Sequence, residues 1–244
     1  MAHRLRLAEV EEKVWLGPNT FHHRKPGDLL HPEREPMWVL GNVKRSMGSA
    51  DFAAQYQQQP VPPEGNLIKW DWFQTYDEPP WRDVGDQTIV SWDTAMSGGE
   101  LADYSACVVL HVKGETVYVV DVVREQLEYP DLRRKVIEVH RRWKNYSNSY
   151  ALVMEDRGSG MSLIQDLKRE GIHAIPAKPT TDKVIRMNAH TARIEAGCVH
   201  LPRKAGWLEE FRRELMLFPA GKYDDQVDAL SQGLDRAFAE KRVN

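Results

Sequence analysis

Cysteine is scarce in this chain: Cys107 and Cys198 are the only two among 244 residues, and they lie far apart in apolar, strand-like stretches. Such a pair argues for reduced core thiols and against a disulfide scaffold or a cysteine-based zinc site. The nine histidines include the pair His22 and His23, yet none stands at zinc-ligand spacing. Long hydrophobic runs are missing too, and nothing approaches the roughly 20 apolar residues that cross a bilayer. The opening MAHRLRLAEVEEK alternates charge with apolar groups where a secretory signal needs a continuous apolar core. A cytoplasmic protein with no membrane partner is therefore expected. Positive charge is not in excess: 33 Lys and Arg against 36 Asp and Glu leave a net charge of -3. That excludes a surface coated for nucleic acid but leaves room for a local basic groove. The GxxxxGK[ST] phosphate loop of nucleotide-driven motors is absent, since Gly158-Ser159-Gly160 lacks the lysine and Gly221-Lys222 lacks the upstream glycine.

What is present suits one large domain with an extension. Proline and glycine divide the chain at PVPPEGN, residues 60–66, and again at Asp77 to Pro80. Upstream, HHRKPGDLLHPEREP reads as irregular, and only Trp38 to Gln59, with Phe52 and Tyr56 four apart, suggests helix. Residues 1–80 are expected to form an extended and helical arm, and residues 81–244 the main domain.

From Asp86 onward the texture becomes compact and alternating. QTIVSWD reads as a strand ending in Asp93, and SACVVLHV and TVYVVDVV as a hairpin turning at Gly114. A helix follows, opened by Pro130 and carrying Leu132, Val136, Val139 and Trp143 at helical spacing. YALVMED then reads as a strand ending in Glu155, GSGMSLIQDLKREG as loop and helix, and HAIPA as a fifth strand. Further helices are predicted at Asp182 to Glu195, Trp207 to Leu217 and Asp224 to Ala239. This order predicts a mixed five-stranded α/β sheet flanked by helices. If the strands that end in Asp93 and Glu155 are neighbours, both carboxylates reach one rim.

KYDDQVDALSQG poses a separate question, because Asp224, Asp225 and Asp228 crowd one helix start, where like charges three and four apart repel. Aspartate caps helices and suits the positive end of the dipole, which accounts for Asp224 and Asp225 better than for Asp228, a full turn inside. On this stretch alone, capping and metal binding stand level. Projected as a regular helix, the segment sets Val227, Leu230, Leu234 and Phe238 toward the core and leaves Asp225 furthest from that face. Hard cations such as Mg²⁺ or Mn²⁺ take oxygen ligands, and two together activate water and stabilise a leaving oxygen. Carboxylates at strand ends plus this cluster suit phosphodiester hydrolysis.

The element order resembles the ribonuclease-H-like fold, and three segments resemble one branch of it, the C-terminal nuclease domain of tailed-phage terminase large subunits. SWDTAMSGGELADYSACVVL is similar to that family's first motif, VMEDRGSGMSLIQDL to its second and KYDDQVDAL to its third. DKVIRMNAHTARIEAGCVHLP also resembles family sequence, and more weakly so does ADFAAQYQQQPVPPEG on the approach to the domain. The resemblance implies a metal-dependent endonuclease that cuts concatemeric double-stranded phage DNA during genome packaging. It implies a two-metal Mg²⁺ or Mn²⁺ site with Asp93, Glu155 and Asp225 as catalytic ligands, Asp228 as a fourth, and Asp224 as the helix cap. It also implies an ATPase motor half, a portal and a small terminase subunit as partners. With no phosphate loop, the chain is expected to be a fragment or one half of a split motor. A resolvase or transposase core, or a non-catalytic docking module of a packaging assembly, are the alternatives. Asp103 is either a supporting acid or a surface residue of the hairpin.

DNA phosphates require basic side chains near that rim. Lys178, Lys183 and Arg186 follow the fifth strand and are the candidates. Gly158 to Gly160 either offer amides to a phosphate or form an ordinary turn. Arg133, Arg134, Arg141 and Arg142 lie off the apolar stripe of their helix and read as a solvated face. Trp70, Trp72, Phe73 and Tyr76 read as packing groups rather than base-stacking ones.

Overall fold

The computed structural model describes residues 11–17, 20–25, 28–29, 32–56, 67–94 and 104–239, so Asp103 lies outside the described residues. Two compact units divide the chain, Met1–Gly65 and Asn66–Asn244. In the first, β1 (Glu12–Gly17) and β2 (Thr20–Arg24) form an antiparallel hairpin, which places His22 and His23 in a strand where irregular chain was expected. The expected helix is two, α1 (Met37–Met47) and α2 (Ser49–Tyr56), interrupted at Gly48, whose φ of 84° only glycine adopts at no cost. Phe52 and Tyr56 stack with ring centroids 4.8 Å apart, as their spacing of one turn implies.

The second unit contains a seven-stranded mixed sheet in the order β3-β9-β6-β5-β4-β7-β8. Its strands are β3 (Gln74–Tyr76), β4 (Gln87–Asp93), β5 (Ser105–Lys113), β6 (Thr116–Glu125), β7 (Ser149–Glu155), β8 (Ala174–Ala177) and β9 (Val199–Pro202). Five of these, β4 to β8, are the strands read from the sequence; β3 and β9 extend the sheet beyond β6. The unit begins at Asn66, so residues 67–80, expected in the arm, fall in the same unit as the sheet, with β3 paired in parallel to β9. Phe73 is buried in the core with Trp70 and Trp72 against it, and the Tyr76 hydroxyl donates to the Val119 carbonyl at 2.8 Å. These aromatics pack, as expected.

Helices cover both faces, which is why β4 and β5 are buried along nearly their whole length. On one face lie α3 (Tyr129–Trp143) and α4 (Ser159–Arg169), whose Leu132, Val136, Leu163 and Leu167 meet Val90, Trp92 and Met154 of the sheet. On the other lie α5 (Lys183–Glu195), α6 (Leu208–Leu217) and α7 (Asp225–Ala239). Val227, Leu230, Leu234 and Phe238 of α7 are buried there with Ile89 and Leu110, each contributing roughly 1.5–3 kcal/mol. That is the apolar stripe projected from the sequence. Cys107 is buried in β5 and Cys198 is half-buried just before β9, both as free thiols. Among the described residues no helix is long and apolar enough to cross a membrane.

Candidate active site

Sheet register builds the site. β4 and β7 are adjacent and parallel, with Trp92 opposite Met154, so Asp93 and Glu155 follow side by side at the same rim. Asp93 is also opposite Ala106 of β5, and Ala106 opposite Arg124 of β6. Residues directly opposite share a face. Glu155, Asp93, Ala106 and Arg124 thus form one row across four strands, two carboxylates, a methyl group and a guanidinium, on the face that carries α7.

Two glycines and one amide bring the helices close to that row. A Cβ on Gly233 would stand 2.8 Å from Leu110 Cδ1 and 3.2 Å from Ser91 Cβ, so glycine lets α7 lie directly on β4 and β5. Gln232 Nε2 then donates to Ser91 Oγ at 3.0 Å and to the Trp92 carbonyl at 3.2 Å. Asp228 lies one turn earlier, about 6 Å back along the helix axis, a step matched by about two residues of strand. This carries it from Ser91 toward Asp93. On the other face a Cβ on Gly160 would collide with the Glu155 carbonyl, so glycine lets α4 start tight against the end of β7. The Gly160 N–H donates to the Arg157 carbonyl at 2.9 Å and is not offered outward.

Burial pushes the Asp93 carboxyl well above the ordinary carboxylate range, and hydrogen bonding to Glu155 and the charges of Asp228, Glu155 and Asp225 add to the rise. Among the described residues no basic side chain pairs with Asp93. The acids of α7, by contrast, each have one. Asp224 bonds Lys183, Asp228 bonds Arg186 at 2.6 Å, and Asp225 stands 3.9 Å from Arg124. Asp225 is nevertheless pushed up to about 7, by burial and then by the nearby Glu214, against the pull of Arg124. Its Oδ2 is buried without a hydrogen bond among the described residues. Asp228 is raised by burial too, with Arg186 opposing.

The carbonyl of Asp224 accepts the N–H of Asp228 at 2.9 Å, so Asp224 holds the cap position expected of it. Its carboxylate nevertheless turns to Lys183, while the N–H of Gln226 donates to Glu214 of α6 at 2.6 Å. Lys183, Arg186 and His190 of α5 meet Asp224, Asp228 and Asp235 of α7 as an interhelical ladder. Burial disfavours the charge on Lys183, but Asp224, Asp228 and Asp182 outweigh it and hold its pKa above the ordinary value. Two of the three phosphate candidates are therefore tied to the acid cluster. Lys178, 3.3 Å from Asp156 and 74% exposed, stays accessible. Arg134 and Arg142 pair with Asp131 and Glu138 on the outer side of α3, as a solvated face should, while Arg133 reaches Glu170 just after α4.

Sequence reasoning missed Arg124, Glu214 and Arg157, the last 3.7 Å from Glu155 and largely exposed. For Arg124 a signal existed: Val122 is buried in the core on the face of α7, and alternation places Arg124 on that same face, at the strand end. Among the described residues no three His, Cys, Asp or Glu side chains converge as a ready-made metal site. Asp93 and Glu155 are brought together; Asp225 and Asp228 face them from α7 at the range of charge interaction.

Residues 90–237 match the terminase RNaseH-like domain. A large terminase from a thermophilic bacteriophage, solved in more than one crystal form, is similar in structure, with a TM-score of 0.60 at 16% identity over 82% of this chain and 52% of that one. The large terminase nuclease of thermophilic phage G20c gives a TM-score of 0.51 at 16% identity over 70% of this chain and 98% of that one. Its structure with bound magnesium gives 0.52 at 15% identity, over 72% and 99%. The chain spans about half the length of the first of these proteins. No curated protein matches it. By its match over residues 90–237, the chain belongs to the terminase RNaseH-like domain family.

Proposed function

We propose that this chain is the metal-dependent endonuclease part of a large terminase, cutting concatemeric double-stranded phage DNA during genome packaging. The observation that carries the proposal is the row of Glu155 and Asp93 on adjacent parallel strand ends, with Asp225 and Asp228 of α7 facing it. A buried carboxylate without a basic partner is costly unless something else neutralises it. The oxygen-only donor set and the unbonded Asp225 Oδ2 fit a hard divalent cation. Mg²⁺ or Mn²⁺, as one ion or a pair, would there acidify a water and stabilise the departing oxygen. Asp93, Glu155, Asp225 and Asp228 hold the charge for that. Lys178 and Arg157, exposed beside Glu155, take the DNA backbone, and Lys183 and Arg186 join them when they leave their aspartates.

The bacteriophage large terminase that this chain half spans has also been solved with ADP, which supports an ATPase motor as the working partner of a nuclease of this kind. We place the portal and small terminase subunit beyond that motor, and the reaction in the host cytoplasm. Supercoiled plasmid incubated with the purified chain and Mn²⁺ or Mg²⁺ should be nicked and linearised, and excess chelator should stop this. Equal cleavage in chelator would rule the proposal out.

A further inference from the structure

Arg124 is 7% exposed, in the same sheet row as Asp93 and Glu155. Its Nη1 lies 2.6 Å from Glu210, Nε 3.3 Å from Glu214 and Nη2 3.9 Å from Asp225. Tyr104 lies against the guanidinium with the ring centroid 3.4 Å away, Tyr223 stands beside it at 4.8 Å, and the two rings touch edge to face. Tyr104 is where the described chain resumes after Thr94, the residue following Asp93, and Tyr223 directly precedes Asp224. The side chain therefore fixes the approaches to β5 and to α7 at once. A planar fork with stackable faces does this, whereas an ammonium would not.

Its location gives this clamp a consequence. Arg124 shares the sheet row with Asp93, two strands away across the small Ala106, and faces Asp225 from within the fold. It brings positive charge within ion-pair distance of Asp225. We propose that Arg124 is the built-in counter-ion of Asp225 that limits how tightly the acidic rim binds a divalent cation. This rests on the nuclease reading of the rim. The guanidinium repels an incoming cation and offsets part of the charge with which Asp225 would attract it.

Calorimetric titration of the DNA-free chain with Mn²⁺ separates these effects. Arg124→Gln should bind Mn²⁺ roughly tenfold more tightly than the parent, because a unit charge close to the site has been removed. Arg124→Lys keeps the charge and should bind Mn²⁺ as the parent does, while melting lower because stacking and the fork are lost. Combining Arg124→Gln with Asp225→Asn should cancel the gain in affinity and restore melting temperature, since no uncompensated carboxylate remains. A folded Arg124→Gln that binds Mn²⁺ with parental affinity, or an Arg124→Lys that shifts as far, overturns the proposal. Should Arg124→Gln fail to fold, the double variant must recover folding; if it does not, the proposal is equally overturned. A parent chain that binds no Mn²⁺ contradicts the nuclease reading instead, and the melting of the double variant still decides for Arg124.

Discussion

Each aspartate at the head of α7 has its own basic partner: Lys183 for Asp224, Arg124 for Asp225, Arg186 for Asp228. That arrangement answers how three like charges coexist on one helical turn. Asp228 comes before Asp225 among the charges that raise the Asp93 carboxyl, and on that ground we propose it as the more important of the two. Asp224→Ser should be nearly silent in cleavage and cost less than about 1 kcal/mol of stability, as for a partly exposed ion pair. Asp228→Asn should lower cleavage by about a hundredfold or more. Asp225→Asn should fall between them, because Arg124 already offsets part of its charge. Metal-titrated cleavage rates of the three variants check the order. The aspartates were legible in the sequence as a cluster; the cation that each finds across the helix interface was not, because those partners lie on other elements.

At the scale of elements, the site exists because strand ends, a helix start and two close approaches coincide. Gly160→Ala forces a methyl group against the Glu155 carbonyl, so it should destabilise by roughly 1–3 kcal/mol and move Glu155, lowering cleavage as well. Denaturant unfolding and single-turnover cleavage measured together test this; a stable, fully active Gly160→Ala would mean that α4 does not set Glu155. Strands β4 to β8 and helices α3 to α7 were readable because their apolar periodicities are local and strong. The flanking strands were not. β3 has three residues and β9 has four, and they pair across more than a hundred residues of chain, so neither carries enough local pattern to announce itself. Helix α7 was legible down to its buried stripe, yet its true cap, Glu214 of α6, comes from another element that no local capping rule reaches.

For the whole molecule, a rim of raised carboxylates makes stability depend on pH with an unusual sign. Asp225 titrates near 3.8 when unfolded and at about 7 when folded. Between those values the folded state keeps a proton that the unfolded state has released, so stability falls as pH rises through that window. Asp93 and Glu214, raised chiefly by burial, act in the same direction. The metal-free melting temperature should therefore drop as pH rises from about 4 to about 7, and Mg²⁺ should reverse the drop by neutralising the same carboxylates. A melting temperature that climbs with pH in chelator would contradict this. The central claim is that the Asp93 row is a nuclease centre, and its most direct test is plasmid cleavage by Asp93→Asn in Mn²⁺, with melting followed on the same sample. The expected result is a folded protein, as stable as the parent or more so without metal, that leaves the plasmid supercoiled; a folded Asp93→Asn that cuts at the parental rate would contradict the account.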